Sequence, residues 1–158
     1  MNDMMQGKTV LVTGATDGIG LVTARALAGM GARVLLAGRN EQKGQRALAA
    51  IRQAVPGADL SFWRADLSHL AEVRRLSQRL SEAEPHIDVL VNNAGGIFAH
   101  RLESADGIEM TFALNHLSYF LLTWELLDLL RAAPAARSSQ AHGLRTSNLD
   151  FRASFSSQ

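Results

Sequence analysis

Eight residues near the amino end carry the first candidate chemistry: Thr13-Gly14-Ala15-Thr16-Asp17-Gly18-Ile19-Gly20, directly after an apolar run and opening a helical pattern. Gly14 permits a tight turn, Gly18 removes a Cβ where backbone must approach an anion, and Gly20 lets helix and strand pack closely. The helix N-terminus adds free N–H groups and the positive end of its dipole. Glycine-rich strand-to-helix turns also occur without ligands. This one sits between strand and helix, where the binding of a dinucleotide's diphosphate requires it, so Thr13, Gly14, Thr16, Asp17, Gly18, Ile19 and Gly20 are candidate cofactor-binding residues.

A second signal follows about twenty residues on, where a cofactor with a free ribose 2′-hydroxyl calls for Asp or Glu. The sequence there is Gly38-Arg39-Asn40. A guanidinium suits a 2′-phosphate, so Arg39, with Asn40 beside it, favours NADP(H) over NAD(H). An exposed Arg in a loop leading into a helix is also common for other reasons. Asp66, in Ala65-Asp66-Leu67-Ser68, has two readings: an acceptor for an adenine amino group, or an organiser of the next helix start.

These residues need a frame. Apolar runs alternate with helical patterns at short intervals as far as residue 131, the pattern of βαβ units around a parallel sheet. The sequence predicts strands over 8–13, 33–37, 59–64 and 87–91, and helices near 18–30, 41–55 and 69–84, followed by a long one over 107–131. Asn40 and Ser68 are N-cap types, and Asp106 with Glu109 has capping-box spacing. Gly31, Pro56-Gly57 and Pro85 mark helix ends. The expected fold is α/β, an incomplete three-layer αβα Rossmann-type parallel sheet of four strands with their helices. Ligands belong at the carboxyl ends of its strands.

Composition narrows the functional classes. The 158 residues are 47% hydrophobic and 20% charged, with a formal charge of +1, so neither disorder nor a nucleic-acid surface is indicated. There is no Cys, hence no disulfide or Cys-ligated zinc, and no metal site is assigned. Met-Asn-Asp-Met-Met lacks a signal-peptide pattern, and no apolar run approaches a membrane span, so the expectation is a cytoplasmic chain. Composition changes at residue 131: residues 131–158 hold six Ser and four Arg, and the last Val or Ile is Ile108. The expected organisation is a dinucleotide-binding domain over 1–131 and a divergent, poorly ordered tail over 132–158.

Taken in order, the glycine turn, Asp66-Leu67, Asn92-Asn93-Ala94-Gly95 after the fourth strand and Asn115 in the long helix resemble the short-chain dehydrogenase/reductase family. Asp106-Gly107-x-Glu109, Asn115-His116-Leu117 and Phe120-Leu121-Leu122-Thr123 look most like its retinol-dehydrogenase-like branch. The likeness covers residues 7 to about 131. It implies hydride transfer between NAD(P)(H) and a carbonyl/alcohol pair on an apolar substrate, with Asp66, Leu67, Asn93, Ala94 and Gly95 as cofactor neighbours. In the family the helix Asn, here Asn115, holds a water in the proton relay.

The family protonates the developing alkoxide with Tyr-x-x-x-Lys, in which the cation lowers the phenol pKa. Here the single Tyr, Tyr119, is followed four residues later by Thr123, and the only Lys residues are Lys8 and Lys43. Tyr119 is expected to pack. Ser138-Ser139-Gln140-Ala141-His142 has branch-like wording, so Ser139 matches the catalytic Ser, but the strand before it looks deleted, and a Ser in a mobile tail is the competing reading. The chain therefore looks like a cofactor-binding half ended by truncation or a disrupted reading frame. Its apolar 107–131 helix implies self-association or pairing with a relative. Three readings stay open: an oxidoreductase inactive by itself, an NADP(H)-binding or dimerising module, and a non-functional product.

Overall fold

Val10, Leu11 and Val12 have no solvent exposure because their strand lies mid-sheet with helices over both faces. The structure, a computed structural model, describes residues 4–140 and the backbone of 148–150. In chain order the elements are β1 (Thr9–Thr13), α1 (Gly18–Gly29), β2 (Arg33–Gly38), α2 (Glu41–Ala54), β3 (Leu60–Arg64), α3 (Leu70–Ala83) and β4 (Val89–Asn92). There follow α4 (Met110–Phe112), a π-helical turn (Ala113–Leu117), α5 (Ser118–Glu125), α6 (Leu127–Ala132), β5 (Arg137–Gln140) and β6 (Asn148–Asp150). The sheet order is β3-β2-β1-β4-β5-β6, parallel except for the antiparallel β6.

Alternate side chains point to opposite faces, so β1 feeds two cores. Val10 and Val12 join Val34 and Leu36 under Ala24 and Ala28 of α1 and Leu48 and Ile51 of α2. Leu11 joins Leu35 and Leu90 under Val73, Leu76 and Leu80 of α3 and Leu122, Leu126 and Leu130. Each such fully buried Leu contributes about 1.5–3 kcal/mol relative to an exposed one. At the lower ends of the strands, buried Asp88 accepts from Lys8 Nζ at 2.9 Å and Thr9 N–H at 3.0 Å, and buried Glu84 pairs with Arg33 at 2.8 Å. No helix among the described residues is long and apolar enough to cross a membrane.

Three expectations need correction. The strand that looks deleted is present: β5 pairs with β4, Leu90 opposite Ser138 and Val91 opposite Ser139, so the sheet has five parallel strands rather than four. Sheet context imposes this on a polar segment of weak strand propensity. Residues 137–140 of the expected tail thus form β5, and 141–147 and 151–158 lie outside the described residues.

Second, the long helix begins at Met110, with Glu109 accepting from Thr111 and Phe112 N–H, and it is broken by the π turn and at Leu126. Along this segment Leu122, Leu126 and Leu130 are buried, while Phe112, Phe120 and Trp124 face solvent. Third, Ser68 does not cap α3. Its N-cap is His69, which makes no side-chain capping bond, and Asp106, the expected cap of the long helix, instead accepts from Leu70 N–H at 2.9 Å.

Candidate functional site

The carboxyl ends of β1, β2, β3 and β4 converge on one edge, and the loops leaving them enclose two adjoining clefts of about 340 and 370 Å³. The first is lined by Gly14, Thr16, Asp17, Gly38, Arg39, Ala65, Asp66, Leu67, Ala94, Gly95, Gly96, Phe98 and Leu114. The second is lined by Gly14, Asp17, Gly18, Ile19, Gly20, Asn93, Ala94 and Gly95. Together the clefts run from Arg39 and Asp66 across the glycine turn to Ile19 and Asn93.

The glycine turn is bolted to the loop after β4. Thr13 Oγ1 accepts from Asn93 N–H at 2.9 Å and Ala94 N–H at 3.0 Å, and Asn93 Nδ2 donates to the Thr13 carbonyl at 2.9 Å and the Gly14 carbonyl at 3.3 Å. Gly14 has φ +63° and lies so near Ala94 that a Cβ would stand 2.8 Å from its Cα. At Gly20 a Cβ would collide with the Gly14 carbonyl and with Asn93 Nδ2. Gly18, at φ +49°, has nothing within 4 Å of that position, so its backbone is open to an approaching group. Exposed Ile19 stands beside it at the start of α1, where first-turn N–H groups have no intrahelical acceptors.

Asp17 is the N-cap of α1: one oxygen accepts from Gly18 N–H at 2.9 Å, and the other is 3.0 Å from Lys43 Nζ. Lys43 above all, then the Gly18 N–H, hold this carboxyl below the usual aspartate range. Arg39 lines the first cleft and is exposed. Asn40 spends its side chain on α2, its Oδ1 accepting from Lys43 N–H at 2.9 Å.

Asp66 follows the carboxyl end of β3. Its Oδ1 accepts from Ser68 N–H and Ser68 Oγ at 3.0 and 2.7 Å, organising the helix entry, while the residue also lines the cleft with Leu67. Burial pushes this carboxyl up, but the Ser68 hydrogen bonds, helped by His69 and Arg39, outweigh it and leave it below the usual range.

Asn115 lies in the π turn, and its amide grips Gly96 from both sides, accepting from the N–H at 2.9 Å and donating to the carbonyl at 3.0 Å. Sequence reasoning missed part of this neighbourhood. Tyr119, buried as expected, also donates its hydroxyl to the Ala94 carbonyl, and burial pushes its pKa up to about 12. Lys43 escaped notice because its partner Asp17 lies 26 residues away, although its place in the first turn of α2, three after the Asn40 cap, was a signal. Ser139 is in β5 opposite Val91 and lines neither cleft. His116 stacks on Phe112, with ring centroids 5.1 Å apart.

An αβα sheet with a glycine turn between β1 and α1 and a cleft at its carboxyl edge is the architecture of dinucleotide-binding proteins. Residues 8–139 match the short chain dehydrogenase family, and the chain belongs to it. Within the family its sequence stands with the retinol-dehydrogenase-like branch. It is 40% identical to retinol dehydrogenase 14 of Mus musculus over 144 residues, covering 85% of this chain and 43% of that protein. It is 41% identical to retinol dehydrogenase 13 of Homo sapiens over 140 residues, covering 86% and 42%. The chain therefore spans less than half the length of these curated relatives. Among solved structures, the Pseudomonas aeruginosa RhlG/NADP active-site complex superposes with a TM-score of 0.72 at 37% identity, covering 84% of this chain and 52% of that one.

Proposed function

We propose that this chain is the cofactor-binding half of an NADP(H)-dependent oxidoreductase that interconverts carbonyl and alcohol groups on an apolar aldehyde, ketone or alcohol. The observation that carries the reading is Arg39 on the cleft beside the glycine turn, where a cofactor with a free 2′-hydroxyl would call for a carboxylate. The names of the similar proteins support it: retinol dehydrogenases, and a structure described as an NADP complex. The binding unit is residues 1–131.

The residues fit such a group. Gly18 leaves room for a diphosphate to reach the backbone, and the first turn of α1 offers it N–H donors. Arg39 would meet the ribose phosphate and Asp66 would accept from the adenine amino group, and Leu67 and Thr16 line the same cleft. Thr13 and Asn93 fix the turn's position relative to Ala94 and Gly95. The bound cofactor supplies the hydride. Asn115 orients the loop at Gly96 and stands for the family's water-holding Asn, and Ser139 matches its catalytic Ser.

These 158 residues contain no Tyr-x-x-x-Lys. Tyr119 is a poor replacement, since its hydroxyl already serves Ala94 and its proton is held more tightly than in a free phenol. Cofactor binding without turnover is the expected behaviour of the isolated chain. A pairing role has its own observation: Phe112 of α4 and Phe120 and Trp124 of α5 are exposed, the last two stacked on each other, and they suit a second copy or a longer relative. Fluorescence titration tests the main reading. NADPH should bind more tightly than NADH, and Arg39→Ala should remove about tenfold of that preference, the scale of one charge-assisted contact. Binding of neither cofactor would contradict it.

A further inference from the structure

The first cleft presents Asp17, a carboxylate, close to where the cofactor reading puts a phosphate. Because Asp17 borders both the glycine turn and the Arg39 cleft, an unmasked carboxylate there would oppose the diphosphate of either cofactor and add a further repulsion for a 2′-phosphate. The carboxylate is not unmasked: Lys43 Nζ stands 3.0 Å from Asp17 Oδ2. Lys43 does not itself line either cleft, and its backbone is fixed in the first turn of α2 by the Asn40 cap.

We propose that Lys43 is a specificity-determining residue that acts through Asp17, neutralising that carboxylate so that Arg39 meets a phosphate-bearing cofactor without an opposing charge. Arg39 is the attractive half of the discrimination. The Asp17–Lys43 pair is the conditional half, repulsive to phosphate whenever the lysine is lost. This inference rests on the cofactor reading above and assigns the control of its preference. The pair also explains how an acidic N-cap, favourable to the N-terminus of α1, coexists with an anion site at the same turn.

The test is a double-mutant cycle read by NADPH and NADH affinity at low and high salt, with the thermal unfolding of each variant without cofactor as a folding control. Lys43→Gln should weaken NADPH about three- to fivefold at low ionic strength and leave NADH within about twofold, because the pair is exposed and screened. In an Asp17→Asn background, Lys43→Gln should have little effect on NADPH. Equal weakening of both cofactors, or an undiminished Lys43 effect in that background, would overturn the masking role, the latter by implying direct phosphate contact. Wild type that prefers NADPH through Arg39 while Lys43→Gln changes nothing overturns this inference alone. Wild type that binds neither cofactor overturns the cofactor reading and this inference with it.

Discussion

Asn115 and Gly96 exchange two hydrogen bonds of opposite sense, 2.9 Å into Oδ1 and 3.0 Å out of Nδ2, so one helix side chain satisfies both backbone groups of a loop residue on the cleft. A second tie lies one turn on, where Tyr119 donates to Ala94. On the other side Thr13 holds Asn93 and Ala94. The loop after β4 is therefore clamped between β1 and the long helical segment.

Asn115→Leu removes both bonds and strands the Gly96 groups. The expected loss is about 1–3 kcal/mol in urea unfolding, together with weaker NADPH binding. An unchanged midpoint would show that the loop is held elsewhere.

Gly18 and Gly20 should respond differently to alanine. Gly20→Ala drives a Cβ into the Gly14 carbonyl and Asn93, with an expected cost of about 1–3 kcal/mol. At Gly18 the space is open, but φ is +49°, so Gly18→Ala should cost about 1–2 kcal/mol through backbone strain. Thermal unfolding separates the two from their effect on NADPH: Gly18→Ala should keep the fold and lose affinity.

The Asp88 carboxyl works against burial, which raises its pKa, yet the Thr9 N–H and Lys8, helped by His86, bring it below the usual aspartate value. A depressed folded pKa means stability that is present above the unfolded pKa, near 4, and lost as pH falls through the lower folded value. Asp88→Asn should therefore destabilise by about 1–2 kcal/mol at pH 7, discounted for the exposure of Lys8, and the difference from wild type should shrink below pH 4. A pH-independent difference would assign the effect to packing.

Much of this frame was legible. The alternation of Val/Leu runs with helical patterns located the first four strands and first three helices to within about two residues. Caps were less readable. Asp106 has the spacing to start its own helix, yet it serves Leu70, 36 positions away, and no local pattern reports that. The fifth strand escaped because Arg137-Ser138-Ser139-Gln140 has no β-branched residue, and its pairing with β4 is purely tertiary. That polar join leaves Ser138 Oγ and Asn92 Oδ1 buried and without hydrogen-bond partners among the described residues. In the site, sequence types found the cation and the glycines, whereas the Lys43–Asp17 and Tyr119–Ala94 contacts needed the fold.

Phe120 and Trp124 stack with ring centroids 6.3 Å apart, and both are more than 60% exposed. Self-association at micromolar concentration is the expected result, and Phe120→Glu with Trp124→Lys should reduce it without lowering the unfolding midpoint, since neither side chain belongs to a core. A monodisperse wild-type monomer in light scattering would contradict the pairing surface.

The most direct measurement is thermal unfolding of the whole chain with increasing NADPH and, in parallel, NADH. A ligand that binds only the native state stabilises it by about 2.7 kcal/mol at a hundredfold excess over Kd. A cooperative transition that rises further with NADPH than with NADH, and loses that difference in Arg39→Ala, is the predicted result. A transition that neither cofactor moves would contradict the account.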